Sequence, residues 1–332
     1  MDSKNLPLTS EPKLTRKDFL SAVDPRWCPG CGCYAVFKTL TGILPTLDIP
    51  KEKFAIISGI GCSSRFPYYA STYGFHTIHG RAPTVAMGLK LSRPDLSVWV
   101  MTGDGDGLSI GGNHFIHMMR RNPNIKVILF NNQIYGLTKG QASPTTQVGT
   151  KTKTTPAGVQ DNPMRPVAMA LAAGATFVAR AHDSDNELLT EVLTAAANHQ
   201  GIAFVEIMMN CVIFNDGAID SITGKVNRAE TTVRLRDGEP LVFGAQADKG
   251  IRLRNANPEV VALSDARKEE LLVHDVHRPD SSLAFLLGQM SAPTPFGVFR
   301  QVNLPTADGI YPQQQEMDLD KLLRSGTTWT ET

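Results

Sequence analysis

The chain has 332 residues, of which 42% are hydrophobic, enough to bury one large core or a domain with extensions. Its formal charge of +1 gives no electrostatic ground for nucleic acid or an anionic membrane as a partner. Met1 to Arg16 is polar with no apolar centre, no run approaches the ~20 apolar residues of a membrane span, and five cysteines without secretory features argue against a disulfide framework, so the expectation is a cytoplasmic protein with buried or reactive thiols.

Residues 1–23 read as an extended arm. The run Trp27-Cys28-Pro29-Gly30-Cys31-Gly32-Cys33 follows, in which Pro and Gly force a tight turn that aims two sulfurs at one point. By itself such a pair fits a redox dithiol, half a zinc site or half of an iron-sulfur ligand set. Two further cysteines stand where strands should end. Cys62 follows the buried run Phe54 to Ser58 through Gly59-Ile60-Gly61, and Cys211 follows the apolar run Ile202 to Met209. Four cysteines at loop positions could converge on a 4Fe-4S cluster, with four-cysteine zinc as the physical alternative. Cys33 is the odd one out and reads as a small buried residue opening a helix from Tyr34 to Thr41. His76 and His79 stand just before a helix from Ala82 to Leu91.

Leu96 to Thr102 is an apolar run rich in β-branched and aromatic residues, a buried strand that must end at Gly103-Asp104-Gly105. Asn113 to Arg121 has helical spacing, with Phe115, Ile116, Met118 and Met119 on or near one face. Ile125 to Phe130 is a second buried strand, ending in Asn131-Asn132. A right-handed crossover returns the chain to the same edge of a parallel sheet, so both strand ends lie together. Gly103, Gly105 and Gly107 would let main-chain amides approach an anion, and Asp104 with Asn132 would offer hard oxygens of the kind Mg²⁺ takes alongside phosphate.

Tyr135 to Thr155 is polar and without periodicity, which in a compact domain marks a functional loop. A helix from Pro163 to Ala173, a strand from Ala175 to Ala181, an amphipathic helix from Asn186 to His199 and a strand from Ile202 to Met209 complete the alternation of a doubly wound, mostly parallel α/β sheet over residues 24–215. Beyond Asn215 the pattern changes. Thr231 to Phe243 reads as a hairpin around Asp237-Gly238, Asp280 to Met290 as a short helix, and the chain from Pro293 as irregular. Residues 216–332 are expected to be a C-terminal appendage packed on the core or on a partner chain.

The Gly103-Asp104-Gly105 turn, with Asn132 following 28 positions after Asp104, resembles the motif by which thiamine diphosphate enzymes hold the Mg²⁺-diphosphate. That resemblance implies the diphosphate-domain fold, with Asp104 and Asn132 as side-chain ligands of Mg²⁺ and Ile134 as a main-chain ligand. Four more stretches, Trp27 to Gly32, Gly59 to Ser63, His76 to Arg81 and Tyr135 to Pro144, resemble the β subunit of 2-oxoacid:ferredoxin oxidoreductases, most closely those acting on 2-oxoglutarate. The likeness covers roughly residues 20–220.

The resemblance implies cluster ligation by Cys28, Cys31, Cys62 and Cys211, and cofactor contacts from Cys62, Ser63, His79, Gly103, Asp104, Gly105, Asp106, Asn132, Ile134, Gly136 and Leu137. Leu137 and Lys139 would form a loop over the substrate end of the cofactor, with His79 and Arg81 near it. Arg65 reads either as a surface ion-pair residue or as the guanidinium that grips the distal carboxylate of a dicarboxylic 2-oxoacid. Lys151 and Lys153 are either solvated or meet an acidic electron carrier. A larger α subunit would supply the glutamate that touches the aminopyrimidine, in an (αβ)₂ assembly that uses CoA and ferredoxin. The rival expectations are another 2-oxoacid such as pyruvate, or a non-redox thiamine diphosphate decarboxylase with structural zinc. A P-loop module is disfavoured because Gly103 to Asn113 lacks the Gly-Lys-Ser/Thr ending.

Overall fold

A computed structural model of the chain describes residues 13–310 and 324–326. Residues 1–12 of the expected arm lie outside the described residues. Its remaining part is anchored: Arg16–Phe19 forms a short 3-10 turn, Phe19 is fully buried, and Leu20 bridges to Ala70.

Six strands form the parallel core: β1 Phe54–Ser58, β2 Tyr73–His76, β3 Ser97–Gly103, β4 Ile125–Asn131, β5 Phe177–His182 and β6 Ala203–Met208. Their order is β2-β1-β3-β4-β6-β5, with every neighbouring pair parallel. The apolar runs read in the sequence are strands because both faces of the sheet are covered, and along each strand alternate side chains enter opposite cores. Phe54, Ile56, Trp99, Met101, Ile128 and Phe130 face one core, which includes helices Cys33–Ile43 and Asn186–Asn198. Ile57, Val98, Val100, Val127 and Leu129 face the other, against helices Ala82–Ser92, Gly112–Arg121, Pro166–Ala172 and Ser282–Gln289.

The C-terminal residues enter the sheet as well as packing on it. β7 Thr232–Leu235 and β11 Thr294–Gln301 extend it to eight strands, with β11 antiparallel to β5 and parallel to β7. The expected irregular tail is therefore partly a strand, its signal masked by Pro295 and Gly297. The expected hairpin also fails. β7 pairs with β11, whereas β8 Val242–Phe243 pairs with β9 Lys249–Arg254, which continues to β10 Asn257–Ala262 in a separate antiparallel sheet. β2, an exposed edge strand, had no counterpart in the sequence reading.

Beneath the ends of β4, β5 and β6 lies a buried polar chain. Arg180 Nε donates to Glu206 Oε2 at 2.7 Å, and Glu206 Oε1 accepts from Asn131 Nδ2 at 2.7 Å. Glu206→Ala should lower folding stability by about 3–5 kcal/mol, because a desolvated guanidinium is left unpaired. The urea midpoint of the variant, compared with that of Glu206→Gln, measures this; equal midpoints for both and the parent would show the pair to be idle.

Candidate active site

The direction of sheet growth reverses between β1 and β3, the place where open α/β sheets leave a crevice beyond their strand ends. Loops from the ends of β1, β3, β4 and β6, together with the Arg26 to Cys33 turn, line one cavity of about 360 Å³. Cys28, Cys31, Cys62, Cys211, Ser63, Arg65, His79, Gly103, Asp104, Gly105, Asp106, Asn132, Ile134, Gly136, Leu137 and Lys139 all border it. The structure thus brings these expected site residues to one place; Gly107 and Arg81 do not line it, Gly107 being buried within the helix Asp104–Leu108 and Arg81 reaching His114 Nε2 at 2.5 Å.

Gly103 is extended, and Asp104–Leu108 is a short helix rather than an open turn. Asp104 is buried, and Ser143 Oγ and Thr145 Oγ1 both donate to its Oδ2, at 2.5 and 2.6 Å. Burial outweighs those bonds and pushes the carboxyl up to about 6. A buried carboxylate still short of compensation is what a cation site requires. Asp106 has a different task. Its Oδ1 accepts from the amides of Ile60 at 3.0 Å and Gly80 at 2.8 Å, and Thr102 Oγ1 donates to its Oδ2 at 2.6 Å. It staples the loops after β1, β2 and β3. His79 Nδ1 lies 3.1 Å from Asp106 Oδ1 but out of line, so the contact is close without being a hydrogen bond.

Across the cavity, Asn132 Oδ1 accepts from Ile134 N at 3.2 Å, folding the chain after β4 back on itself. Tyr135 closes over the opposite helix, its hydroxyl donating to Gly105 O at 3.0 Å. A Cβ on Gly105 would stand 2.2 Å from the Tyr135 ring, so only glycine allows this approach. Lys139 adopts a left-handed backbone and is exposed, as is Leu137. Arg65 donates to Arg26 O at 3.3 Å and faces the cavity without a carboxylate partner among the described residues.

The cysteine turn is held by Trp27, whose indole is ringed by Tyr34, Phe37, Phe66 and Tyr69 and whose Nε1 donates to Cys62 O at 2.7 Å. One side chain thus ties two cysteine loops together. The Cys211 and Cys62 sulfurs flank Gly136, 3.5 and 3.7 Å from where its Cβ would be. Burial, then Cys31, Cys211 and Cys28 in turn, raise the Cys62 thiol to about 11. Cys33 is buried at the start of its helix, as expected, with its sulfur against Cys31. All five thiols are free. Among the described residues, no three His, Cys, Asp or Glu side chains close to a single-ion site.

Sequence reasoning missed Ser143, Thr145 and Asp183. Asp183, at the end of β5, accepts from Asn210 N at 3.2 Å and fills the space beside Gly32, where a Cβ would meet its Oδ2 at 2.1 Å. It bridges the Cys28 to Cys33 turn and the loop bearing Cys211. The missing Cβ at Gly32 was the available signal.

A parallel sheet that presents a buried aspartate and a loop asparagine from adjacent strand ends, across a glycine-lined crevice, is the diphosphate-binding domain of thiamine diphosphate enzymes. Residues 59–207 match the family described as "Thiamine pyrophosphate enzyme, C-terminal TPP binding domain". The chain is 50% identical to the 2-oxoglutarate oxidoreductase subunit KorB of Mycobacterium tuberculosis, over 98% of this chain and 90% of that one. It is 44% identical to the 2-oxoglutarate synthase subunit KorB of Methanocaldococcus jannaschii, over 60% and 73%. The solved 2-oxoglutarate:ferredoxin oxidoreductase from Magnetococcus marinus, with 2-oxoglutarate, coenzyme A and succinyl-CoA bound, superposes with a TM-score of 0.75 and 34% identity over 95% of this chain and 97% of that one. The chain belongs to the family of 2-oxoglutarate:ferredoxin oxidoreductase β subunits.

Proposed function

We propose that this chain is the cofactor-bearing subunit of an enzyme that converts 2-oxoglutarate, CoA and two oxidised ferredoxins to succinyl-CoA, CO₂, two reduced ferredoxins and a proton, in either direction. The observation that carries the reading is the convergence of Asp104, Asn132 and four cysteines on one cavity. Asp104 fits a metal: its buried carboxylate is only partly compensated by the hydroxyl donors on Oδ2, and it would hold Mg²⁺ together with Asn132 and the Ile134 carbonyl. Thiamine diphosphate, when bound there, supplies the electron sink for decarboxylation. Cys28, Cys31, Cys62 and Cys211 would hold a 4Fe-4S cluster, which would supply one-electron redox chemistry beside the cofactor.

Residues 59–207 account for a diphosphate-binding domain, and the aminopyrimidine needs a glutamate from a second one. A larger α subunit in an (αβ)₂ assembly supplies it. No helix among the described residues is long and apolar enough to cross a membrane. The free thiols suit a reducing cytoplasm, which this reading assigns as the compartment.

Arg65 acts on the substrate's far carboxylate, and its position beside Cys62 and Ser63 supports that role. Arg65→Ala should raise the KM for 2-oxoglutarate about tenfold or more, the worth of a charge-assisted hydrogen bond, with little change for 2-oxobutyrate. Equal effects on both would remove it from substrate recognition. The whole reading is tested by purifying the chain anaerobically with its partner and measuring iron, acid-labile sulfide and CoA-dependent ferredoxin reduction with 2-oxoglutarate and pyruvate. Zinc without iron, or turnover that needs no electron acceptor, would refute it.

A further inference from the structure

A second cavity, of about 350 Å³, opens beyond the end of β5, bordered by β7, β11 and the helix Asn186–Asn198. Its lining holds four cations, Lys225, Arg228, Arg234 and Arg236, against one carboxylate, Asp185. Among the described residues these charges are poorly satisfied by the protein itself. Of the four, only Arg234 hydrogen-bonds a carboxylate there, that of Glu191, and its Nε is buried without a partner among those residues. Arg228 stands 3.9 Å from Asp185 and Arg236 3.7 Å from Glu239, beyond hydrogen-bond distance. Lys225 joins no ion pair among the described residues.

The floor is apolar and aromatic. The buried His182 ring packs edge-on against Phe296 with centroids 5.0 Å apart, and Leu188 lies alongside. Burial is the main cause that holds His182 down to about 4, so at neutral pH the ring is uncharged and belongs to the floor rather than to the cationic wall. Like charges gathered on a concave wall raise the local potential and repel one another, and an anion relieves both effects. Guanidinium groups match phosphate oxygens in pairs, and the volume lies in the range of small-ligand pockets.

We propose that this cavity binds a phosphomonoester carried on a flat, partly apolar body, the chemistry of a nucleotide. Two sources share that chemistry: a free adenine nucleotide acting as an effector, and the 3′-phosphorylated adenosine end of CoA. The inference rests on the pocket alone and stands whether or not the reaction proposed above is correct.

Calorimetric titration of the assembled complex with inorganic phosphate, ADP and adenosine 3′,5′-bisphosphate, at ionic strength fixed with chloride, tests it. Both nucleotides should bind more tightly than phosphate. The double variant Arg228→Gln, Arg236→Gln should weaken them about tenfold or more while leaving the melting temperature of the complex unchanged. Preference for the bisphosphate, with a raised KM for CoA in the variant, assigns the site to the CoA terminus; preference for ADP with an unchanged KM assigns it to a free nucleotide. Nucleotide binding that is undiminished in the double variant, or no tighter than that of phosphate, overturns the proposal.

Discussion

Asp104→Asn will leave the cofactor-free chain folded, and more stable at neutral pH than its parent, while weakening magnesium-dependent thiamine diphosphate binding by at least about 100-fold. The substitution is isosteric, and the amide oxygen can still accept from Ser143 and Thr145. What disappears is the charge. The folded-state pKa of Asp104 is raised from 3.8 to about 6, so the folded chain holds the proton more tightly than the unfolded one. Stability contributed by this group therefore falls as pH rises from about 4 to about 6 and stays low above that, a loss of about 3 kcal/mol for a two-unit shift. Asparagine carries no such loss. Urea midpoints of the cofactor-free proteins should coincide at about pH 3.5, below the unfolded pKa, and separate by pH 7.5 in favour of the variant, and Mg²⁺ with thiamine diphosphate should stabilise only the parent. A variant that still gains stability from the cofactor would show that Asp104 does not hold the metal.

Cys211→Ser should abolish the broad absorbance near about 400 nm of thiolate-ligated iron in the anaerobically purified complex, with roughly complete loss of acid-labile sulfide. Cys33→Ser should keep both. The contrast matters because the two cysteines differ in place, not in chemistry: both border the cavity, but Cys211 stands on a loop beside Gly136, whereas Cys33 is fully buried at a helix start with its sulfur against Cys31. Should Cys33→Ser bleach the protein and Cys211→Ser leave it brown, the ligand set would have to be redrawn. Both variants should still bind thiamine diphosphate, since neither thiol is among the oxygen donors proposed for Mg²⁺, and this separates cluster loss from misfolding.

The parallel core was legible because β1, β3, β4, β5 and β6 are buried on both faces, and double burial writes a mostly apolar run, broken by single buried polar residues such as Lys126, Arg180 and Glu206, that needs no alternation to be seen. β2 escaped notice for the opposite reason. Its four residues, Tyr-Gly-Phe-His, are exposed, and only the backbone ladder to β1 makes them a strand. β11 was hidden by Pro295 and Gly297, which the sheet tolerates in a strand that bulges between Val298 and Arg300. Within the site, the glycines and cysteines announced themselves by type and spacing. Ser143 and Thr145 could not, because a hydroxyl in an aperiodic loop carries no mark that it will return to an aspartate 39 or 41 positions earlier. Asp106 sat in the legible motif, yet its carboxylate is turned toward the amides of Ile60 and Gly80, a task visible only once three loops share one edge.

The placement of β11 has a bearing on biosynthesis. β5 is complete at His182, yet the strand that covers its free side, β11, begins only at Thr294. At about 5–20 residues per second, a ribosome needs several seconds or more to deliver that cover. Throughout the interval the nascent polypeptide displays an open hydrogen-bonding border with apolar flanks, the sort of surface that chaperones shield and neighbouring chains stick to. Fragments cut before residue 294 should thus be collected as inclusion bodies rather than as working half-enzymes.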